Sequence, residues 1–250
     1  MNFNQNRYID DIILRREPSA DSYLNKLPIV RFLKKKKKIT LNSPVTIFVG
    51  ENGTGKSTLL EAVAVAAGFN PEGGTRNFSF STNDTHSELC KCIGLSRHNH
   101  PRDGFFLRAE SFYNVATNID DMDELPSLSR KVIESYGGVS LHNQSHGESF
   151  LSVVLNRFGG NGLYILDEPE AALSPMRLMS LLAAMNELVK KNSQFIISTH
   201  SPILMAYPGA EIYELNENGI ESMNYRETEH YRFTLHFLQN PERVLKHLLN

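Results

Sequence analysis

The sequence lacks most of the features that would set it apart from an ordinary globular protein. It contains no tryptophan and only two cysteines in 250 residues, too few for the disulfide framework of a small secreted domain. No stretch reaches the roughly 18 consecutive apolar residues that a membrane-spanning helix requires. The best candidate, 171–189, is interrupted by Pro175, Arg177 and Glu187. We therefore expect no integral membrane segment.

Charge of neither sign is in excess. The 26 Lys and Arg residues nearly balance the 28 Asp and Glu residues, for a formal net charge of -2, which argues against a basic nucleic-acid tail or an acidic disordered chain. The opening residues, MNFNQNRYIDD, carry acidic side chains where a secretory signal needs an apolar core. There is no internal repeat and no sustained heptad pattern. We expect a cytoplasmic protein in which 1–250 form a single domain without a coiled-coil arm.

Short apolar runs alternate with helical segments along the middle of the chain. The runs at 45–49, 163–166 and 195–199 are typical of strands that are buried on both faces. Helical patterns at 57–67 and 175–191 lie between them or beside them, and the second has Ser174 placed as its N-cap. This alternation predicts an α/β fold with a mainly parallel sheet flanked by helices.

The N-terminal segment predicts an antiparallel β portion. Residues 8–14 and 27–33 look extended, and five consecutive lysines follow at 34–38. Neighbouring like charges repel each other and seek water, so the lysine run is interpreted as a solvated hairpin tip. The alternative is a contact with nucleic acid or with an acidic lipid surface.

Two further segments predict smaller additions to the sheet. Helical patterns at 120–136 and 149–158 indicate a small helical subdomain inserted at about 111–158. The C-terminal part, 211–250, is typical of a hairpin followed by one or two short helices.

Four potential metal ligands lie between strands predicted at 77–81 and 105–107. Their Cys-x-Cys and His-x-His spacing differs from the paired Cys-x-x-Cys spacing of zinc sites. They are therefore interpreted as ordinary residues of a polar loop, with a zinc site as the alternative. The four residues are Cys90, Cys92, His98 and His100.

The strongest motif lies between the first apolar run and the helix that follows it. Residues 50–57 read Gly-Glu-Asn-Gly-Thr-Gly-Lys-Ser and match Gly-x4-Gly-Lys-Ser/Thr, the pattern of a phosphate-binding loop. Glycines let successive backbone N–H groups turn towards a phosphate, and the helix adds its positive N-terminal end. Lys56 can reach the β- and γ-phosphates, and the Ser57 hydroxyl can bind Mg²⁺. The predicted nucleotide-binding residues are Gly50, Asn52, Gly53, Thr54, Gly55, Lys56, Ser57 and Thr58.

Polar residues at the ends of the next two apolar runs predict a site that binds Mg²⁺ and activates water. Asp167 can complete the Mg²⁺ shell beside the phosphates. Glu168, the next residue, can face the γ-phosphate and polarise an attacking water as a general base. His200 can hydrogen-bond a γ-phosphate oxygen, the alternative being a structural histidine at a strand end. Glu168, His200 and Lys56 are the predicted catalytic residues.

Taken in order, these motifs over about 45–208 resemble those of the ATP-binding-cassette (ABC) class of ATPases. The likeness is greatest to stand-alone AAA-family ATPases and to the heads of chromosome-maintenance and recombination-repair proteins. The segment Gln-Ser-His-Gly-Glu at 144–148 is similar to the signature of that class, which closes over a nucleotide held by a second protomer. The resemblance implies a homodimer in which Ser145, Gly147 and Glu148 contact ATP on the other chain.

The resemblance also implies roles for residues outside these motifs. Glu110 falls where the class has a glutamine that touches Mg²⁺ and water, so it joins Ser57 and Asp167 as a predicted metal-site residue. The segment at 171–174 is similar to the dimer-contact loop, whereas His146 replaces a signature glycine. An aromatic ring often stacks on adenine in this class. Tyr23 and Phe32 are the candidates for that contact, and core packing is the alternative for both.

The resemblance implies that ATP and Mg²⁺ are the cofactors and that ATP hydrolysis drives closure and opening of the dimer. Closure and opening of the dimer would act on a separate effector protein or on DNA, in DNA repair or defence. Two alternatives remain: an ATP-binding subunit of an ABC transporter, and a nucleotide-gated dimerisation switch with little turnover. Against the transporter stand Glu110 and the short segment 110–145. A small-molecule kinase fits poorly, because Glu168 would share the site with an acceptor hydroxyl.

Overall fold

The apolar runs that predict strands form the centre of a six-stranded sheet, and a second sheet of three strands lies beside it. The computed structural model describes residues 7–76, 87–124 and 131–249. In chain order the strands are β1 (Asp11–Leu14), β2 (Lys38–Thr40), β3 (Val45–Gly50), β4 (Ile93–Ser96), β5 (Asp103–Arg108), β6 (Gly162–Asp167), β7 (Gln194–Ser198), β8 (Glu211–Asn216) and β9 (Gly219–Met223).

Helices cover both faces of the large sheet. In chain order the α-helices are α1 (Pro28–Lys36), α2 (Lys56–Ala67), α3 (Leu89–Cys92), α4 (Phe112–Glu124), α5 (His146–Ser152), α6 (Pro175–Lys190), α7 (Pro202–Met205), α8 (Glu229–Gln239) and α9 (Pro241–Leu249). Ser174 caps α6 by accepting a hydrogen bond from the backbone N–H of Arg177, as its sequence position predicts.

The large sheet has the strand order β5-β6-β7-β3-β8-β9. The first five strands are parallel, and β9 pairs with β8 as the antiparallel partner of a hairpin. Every residue of β3, β6 and β7 is buried, because helices pack on both faces. The α/β prediction with a mainly parallel sheet is therefore confirmed.

Two apolar clusters form the core, one on each face of the sheet. Alternation along β3 directs Ile47 into the cluster that contains residues of α4, α5 and α6, and Phe48 into the cluster that contains residues of α1, α2 and β1. The parallel register also aligns the carboxyl ends of the strands, since Arg108 pairs with Asp167, and Asp167 pairs with Ser198. Polar side chains from three strands thus meet at one edge.

The N-terminal antiparallel portion is present, in the order β2-β1-β4, but its sequence assignment was partly wrong. Residues 27–33 do not form a strand, because Pro28 starts α1 and the buried Ile29, Val30 and Leu33 recur at helical spacing. The lysine run is therefore no hairpin tip. Lys34, Lys35 and Lys36 form the last turn of α1, where they face the negative end of the helix dipole.

The segment around the cysteines is also more regular than the predicted polar loop. It forms α3 followed by β4, and β4 pairs with β1. The predicted strand at 105–107 lies within β5, whereas the strand predicted at 77–81 falls outside the described residues.

The segment between β5 and β6 contains α4, two short 3-10 helices and α5. Helix α4 starts earlier than the helix predicted at 120–136, because Phe112 and Val115 are buried on its inner face. The helix predicted at 149–158 begins instead at His146 and changes into a π-helix at Val153–Arg157.

The C-terminal part forms the predicted hairpin, β8 and β9, followed by the two helices α8 and α9. Among the residues described, no helix combines the length and the apolar character that crossing a membrane demands.

Candidate active site

The loop between β3 and α2 depends on glycine at two positions. Gly50 has φ +136, and a Cβ there would lie 2.2 Å from the carbonyl oxygen of Leu215. Gly55 has φ +98, and a Cβ there would lie 2.5 Å from Cγ2 of Ile29. Both conformations are ones that residues with a Cβ rarely adopt. The loop can therefore turn tightly from the strand into the N-terminus of α2, where an anion is favoured.

Lys56 is the first residue of α2, and its side chain folds back onto this loop. Its Nζ donates to the carbonyl oxygens of Gly50, at 2.7 Å, and Glu51, at 3.1 Å, and the residue is only 4% exposed. Burial lowers the pKa of the ammonium, and the nearby carboxylates of Glu168 and Asp167 oppose that shift. The loop thus holds a desolvated cation next to two acidic side chains.

Asp167 is 3% exposed at the end of β6. Its Oδ1 accepts a hydrogen bond from Ser198 Oγ at 2.5 Å, and Arg108 Nε lies 3.4 Å from Oδ2. Burial raises the pKa of the carboxyl, whereas hydrogen bonds from Ser198 and Ser57 and the charge of Arg108 act in the opposite direction. Ser57 and Asp167 are thus brought together at the start of α2.

Sequence reasoning missed Arg108 and Ser198. Both stand at strand ends directly beside Asp167 in the sheet register, so the signal that could have identified them is strand order, which a single sequence does not contain. Arg108 also pairs with Glu61 at 2.8 Å and with Glu110 at 3.5 Å. It connects the buried carboxylate to a predicted metal-site residue.

Glu168 adopts a left-handed backbone conformation, with φ 50. Such strain in a residue other than glycine costs on the order of 1–3 kcal/mol and is often found at functional sites. Hydrogen bonds from its backbone N–H to Ser198 O at 3.1 Å and to Ser198 Oγ at 3.3 Å hold it in place. Its side chain is 35% exposed, and Oε1 lies 3.5 Å from His200 Nε2.

His200 is held in the neutral form. Burial, followed by the charge of Lys56 and the proximity of His230, lowers its pKa to about 4. Its backbone N–H donates to the buried carboxylate of Glu170. A neutral imidazole next to Glu168 can donate one hydrogen bond to a phosphate oxygen and accept another at its second nitrogen.

A cavity of about 210 Å³ opens at this edge of the sheet. It brings together Ser57, Asp167, Glu168 and Glu110, whose side chain is 81% exposed. His146 at the start of α5 also lines the cavity, within the same chain. The residues that line it are Ser57, Arg108, Ala109, Glu110, His146, Asp167, Glu168 and Ala171.

The oxygen donors of this cavity suit Mg²⁺. The hydroxyl of Ser57 and the buried carboxylate of Asp167 are hard ligands of the kind Mg²⁺ prefers. Within 7–76, 87–124 and 131–249, no group of three or more His, Cys, Asp or Glu residues could hold a metal ion. Mg²⁺ would therefore need phosphate oxygens as well, which is its usual mode of binding to nucleotides.

The structure also separates the four potential zinc ligands Cys90, Cys92, His98 and His100 into different surroundings. The four Cys and His side chains do not form a metal group. His98 instead contacts Asp10, and Cys92 is buried in the core.

The signature-like segment is held at the start of α5. Ser145 and Glu148 form a reciprocal capping box, with Ser145 Oγ donating to Glu148 at 2.6 Å. Arg177 on α6 donates to both, at 3.2 Å to Ser145 and 2.9 Å to Glu148. Gly147 is buried, and a Cβ there would lie 2.8 Å from the carbonyl oxygen of Ala172. Ser145 and Glu148 are exposed.

Neither candidate for adenine stacking lines the cavity. Phe32 packs against the core cluster, next to Gly219, which favours its structural interpretation. Tyr23 is 58% exposed in a short 3-10 helix. The adenine contact stays a prediction.

Comparison with known proteins relates the chain to ATPases. A family model described as an AAA domain matches 29–104, and a second AAA-domain model, whose description also names the AbiEii toxin of type IV toxin–antitoxin systems, matches 93–206. The Retron Vc95 probable ATPase of Vibrio cholerae is 26% identical over 133 residues. That match covers 45% of this chain and a quarter (25%) of the retron protein.

Solved structures share the fold. CbiO1 of Clostridium perfringens, part of an ABC transporter complex, aligns with a TM-score of 0.52 and 16% identity over 97% of this chain and 99% of its own. An ATP-binding cassette of another ABC transporter aligns with a TM-score of 0.50 and 14% identity, over 87% of this chain and 92% of its own. At these identities the likeness describes the fold alone.

Proposed function

We propose that this chain is an ATPase of the AAA and ABC type, which its matches to AAA-domain models and to a retron probable ATPase support, and that it hydrolyses Mg²⁺-bound ATP with Glu168 as the general base. The observation that carries this proposal is the convergence of Ser57, Asp167 and Glu168 on one cavity. His200 lies 3.5 Å from Glu168. The loop from Gly50 to Thr58 would hold the phosphates at the entrance to α2.

The reaction would proceed by attack of water on the γ-phosphorus. Glu168 takes a proton from the water as the new P–O bond forms, the bond to the β-phosphate oxygen breaks, and ADP and phosphate leave. Lys56 and the neutral His200 donate hydrogen bonds to phosphate oxygens. When bound by Ser57 and Asp167, Mg²⁺ would neutralise charge on the phosphates.

We infer further that ATP closes two copies head to tail. Ser145 and Glu148 are exposed and are oriented by Arg177, so their remaining hydrogen-bonding capacity faces outward. The backbone of Gly147 and the hydroxyl of Ser145 could then contact the γ-phosphate on the partner chain. Two properties of the signature segment support this proposal: it is exposed, and its side chains are already fixed before a second copy binds. Fixing side chains in advance lowers the entropic cost of association.

Opening and closure would act on a separate partner in defence or DNA repair. Support comes from two descriptions: the relative is named a retron probable ATPase, and the description of one matching family model names a type IV toxin–antitoxin system. Because the matched region is a quarter of the retron protein, the partner is defined only by class: an effector protein or DNA. ATP turnover measured with and without duplex DNA distinguishes the two.

The variant Glu168→Gln tests the base and the dimer together. We expect turnover to fall by about 10²–10⁴-fold, with ATP affinity retained and elution at about twice the monomer mass of 28.2 kDa when Mg²⁺-ATP is present. Glu187→Gln, an exposed glutamate of α6, is the matched control. Normal turnover in Glu168→Gln would show that Glu168 is not the base.

A mixing experiment tests the head-to-tail arrangement. Lys56→Ala removes nucleotide binding, and Ser145→Arg blocks the signature, so each variant alone should be inactive. A mixed dimer contains one intact composite site, formed by the loop of one chain and the signature of the other. We expect mixing to restore activity. Absence of any gain on mixing would contradict the shared site.

A further inference from the structure

A second histidine lies against His200 and comes from the C-terminal helix pair. Nε2 of His230 is 2.8 Å from Nδ1 of His200, a hydrogen-bonding distance. The ring centroids are 4.8 Å apart, and the planes are inclined at 56°. His230 is the second residue of α8, about 30 residues beyond β7 in the chain. No motif in the sequence connects the two.

The direction of this hydrogen bond follows from the other nitrogen of His200. Nε2 of His200 is buried, makes no hydrogen bond to the part of the chain that the structure describes, and lies 3.5 Å from a carboxylate oxygen of Glu168. A proton on Nε2 is therefore favoured by the acceptor that faces it. His200 has a pKa of about 4, so at neutral pH it carries one proton only. Its Nδ1 is then a lone pair, and His230 must donate.

His230 is held by the first turn of α8. Thr228, which caps this helix, is fully buried, accepts from the backbone N–H of Tyr231 and donates to the carbonyl oxygen of Tyr225 at 2.7 Å. The backbone N–H of Glu229 donates to Glu214 on β8 at 3.0 Å. The turn that presents the imidazole is thus attached to the large sheet.

We propose that His230 is a positioning residue whose Nε2–H holds His200 in the tautomer that presents a proton at Nε2. This inference rests on the proposed function, in which that proton is donated to a γ-phosphate oxygen. A γ-phosphate oxygen has only lone pairs to offer, so the opposite tautomer would meet it with a lone pair of its own. The first turn of α8 would thereby orient His200, which follows the end of β7.

Two substitutions of similar size separate hydrogen bonding from packing. His230→Gln keeps an N–H donor at about the position of Nε2, whereas His230→Leu keeps bulk without a donor. We expect His230→Leu to lower kcat about tenfold, with KM for ATP changed less than about threefold, because one hydrogen bond that orients a catalytic group is lost. His230→Gln should recover most of the turnover. His236→Leu, on an exposed position of the same helix, is the control.

Equal impairment of the Gln and Leu variants would assign His230 a merely structural role and overturn the proposal. Wild-type turnover in both would overturn it as well, because the donor would then be dispensable.

A measurement without ATP distinguishes failure of this inference from failure of the proposed function. Histidine labelled with nitrogen isotopes reports the tautomer of each ring by NMR, and His200→Gln identifies the His200 signals. We expect a single Nε2–H tautomer for His200 in the wild type and in His230→Gln, and an averaged signal in His230→Leu. A proton on Nδ1 in the wild type overturns the proposal. A wild type with the expected tautomer but no ATP hydrolysis overturns the proposed function alone.

Discussion

The phosphate loop and the signature segment are the two surfaces that we propose contact the phosphates of ATP, and they are built in opposite ways. Around the loop, Lys56 and Asp167, the last residue of β6, are almost completely buried, and their partners Gly50 and Ser198 come from β3 and β7 of the same sheet. In the signature, Ser145 and Glu148 are exposed and are oriented by their own capping box and by Arg177. The first surface is enclosed by this chain, whereas the second is presented outward.

The electrostatics follow the same division. Burial lowers the pKa of Lys56 and raises the pKa of Asp167, so both charged forms are disfavoured in the ATP-free protein. Hydrogen bonds from Ser145 and the charge of Arg177 lower the pKa of Glu148, so its charge is favoured. Desolvated charges cost stability and are retained where binding requires them. We therefore expect a bound ligand with complementary charges to stabilise the charged forms of Lys56 and Asp167, whereas the charge of Glu148 is stabilised within the signature itself.

The largest expected effect comes from Gly50→Ala in the loop. The added Cβ would lie 2.2 Å from the carbonyl oxygen of Leu215, a backbone atom of the neighbouring β8. Because neither backbone can move without breaking the sheet, we expect the free energy of unfolding to fall by roughly 3 kcal/mol or more. Urea denaturation measures this change.

Gly53→Ala is the matched control for that prediction. Gly53 also has positive φ, +82, but apart from Gly53 and its two chain neighbours no heavy atom of the described residues lies within 4 Å of a Cβ placed there. Only conformational strain remains, and the expected loss is about 1 kcal/mol. Equal losses at the two glycines would show that backbone strain, and not the approach of β8, decides the first result.

The loop was predictable from sequence because its conformation is local. The glycine spacing, the preceding apolar run and the following helix are all contained in residues 45–67, and each appears in the structure. The parallel sheet was predictable for a similar reason. The runs at 45–49, 163–166 and 195–199 are mostly apolar, as is typical of strands covered on both faces, and the three strands that they predict are completely buried. Arg108, Ser198 and His230 were not predictable, because their contacts depend on strand order and on where α8 returns.

The helix errors have local causes. Residues 27–33 contain branched apolar residues that also suit a strand, and only the burial of Ile29, Val30 and Leu33 on one face identifies α1. The lysine run then ends that helix. The π-helix at Val153–Arg157 has no sequence signal, because a helix of this kind differs from an α-helix only in its hydrogen-bond spacing.

An intermediate effect is expected for Lys56→Met, which tests whether the buried cation is prepared for phosphate. Methionine fills a similar volume but has no donor. We expect the Kd for Mg²⁺-ATP to rise by about a hundredfold, because charge-assisted hydrogen bonds to phosphate are lost. Isothermal titration calorimetry measures the affinity. Lys35→Met, at an exposed lysine of α1, should bind like the wild type, and a similar Kd for all three proteins would remove Lys56 from the phosphate site.

The smallest effect is expected at the signature, for Arg177→Met. This change removes the donors to Ser145 and Glu148 and keeps the aliphatic packing of the side chain. Because the pair is partly exposed, with side-chain exposures of 32% and 56%, we expect no measurable change in Tm. ATP affinity should also be unchanged. Turnover should fall about fivefold, since a less ordered signature closes less often in the productive geometry.

Lys190→Met on the same helix is the control for Arg177→Met. It removes an ion pair from α6 without affecting the orientation of the signature side chains. Lys190 pairs with Glu187 at 2.7 Å, and both side chains are more than half exposed, yet neither belongs to the signature. This variant should turn over ATP like the wild type.

A weaker affinity of monomeric Arg177→Met for ATP would contradict the arrangement. The signature would then act on the cavity of its own chain, which His146 already lines, and the division between an enclosed loop and an outward-facing signature would fail. If only turnover at high protein concentration changed, the second surface would serve the other copy.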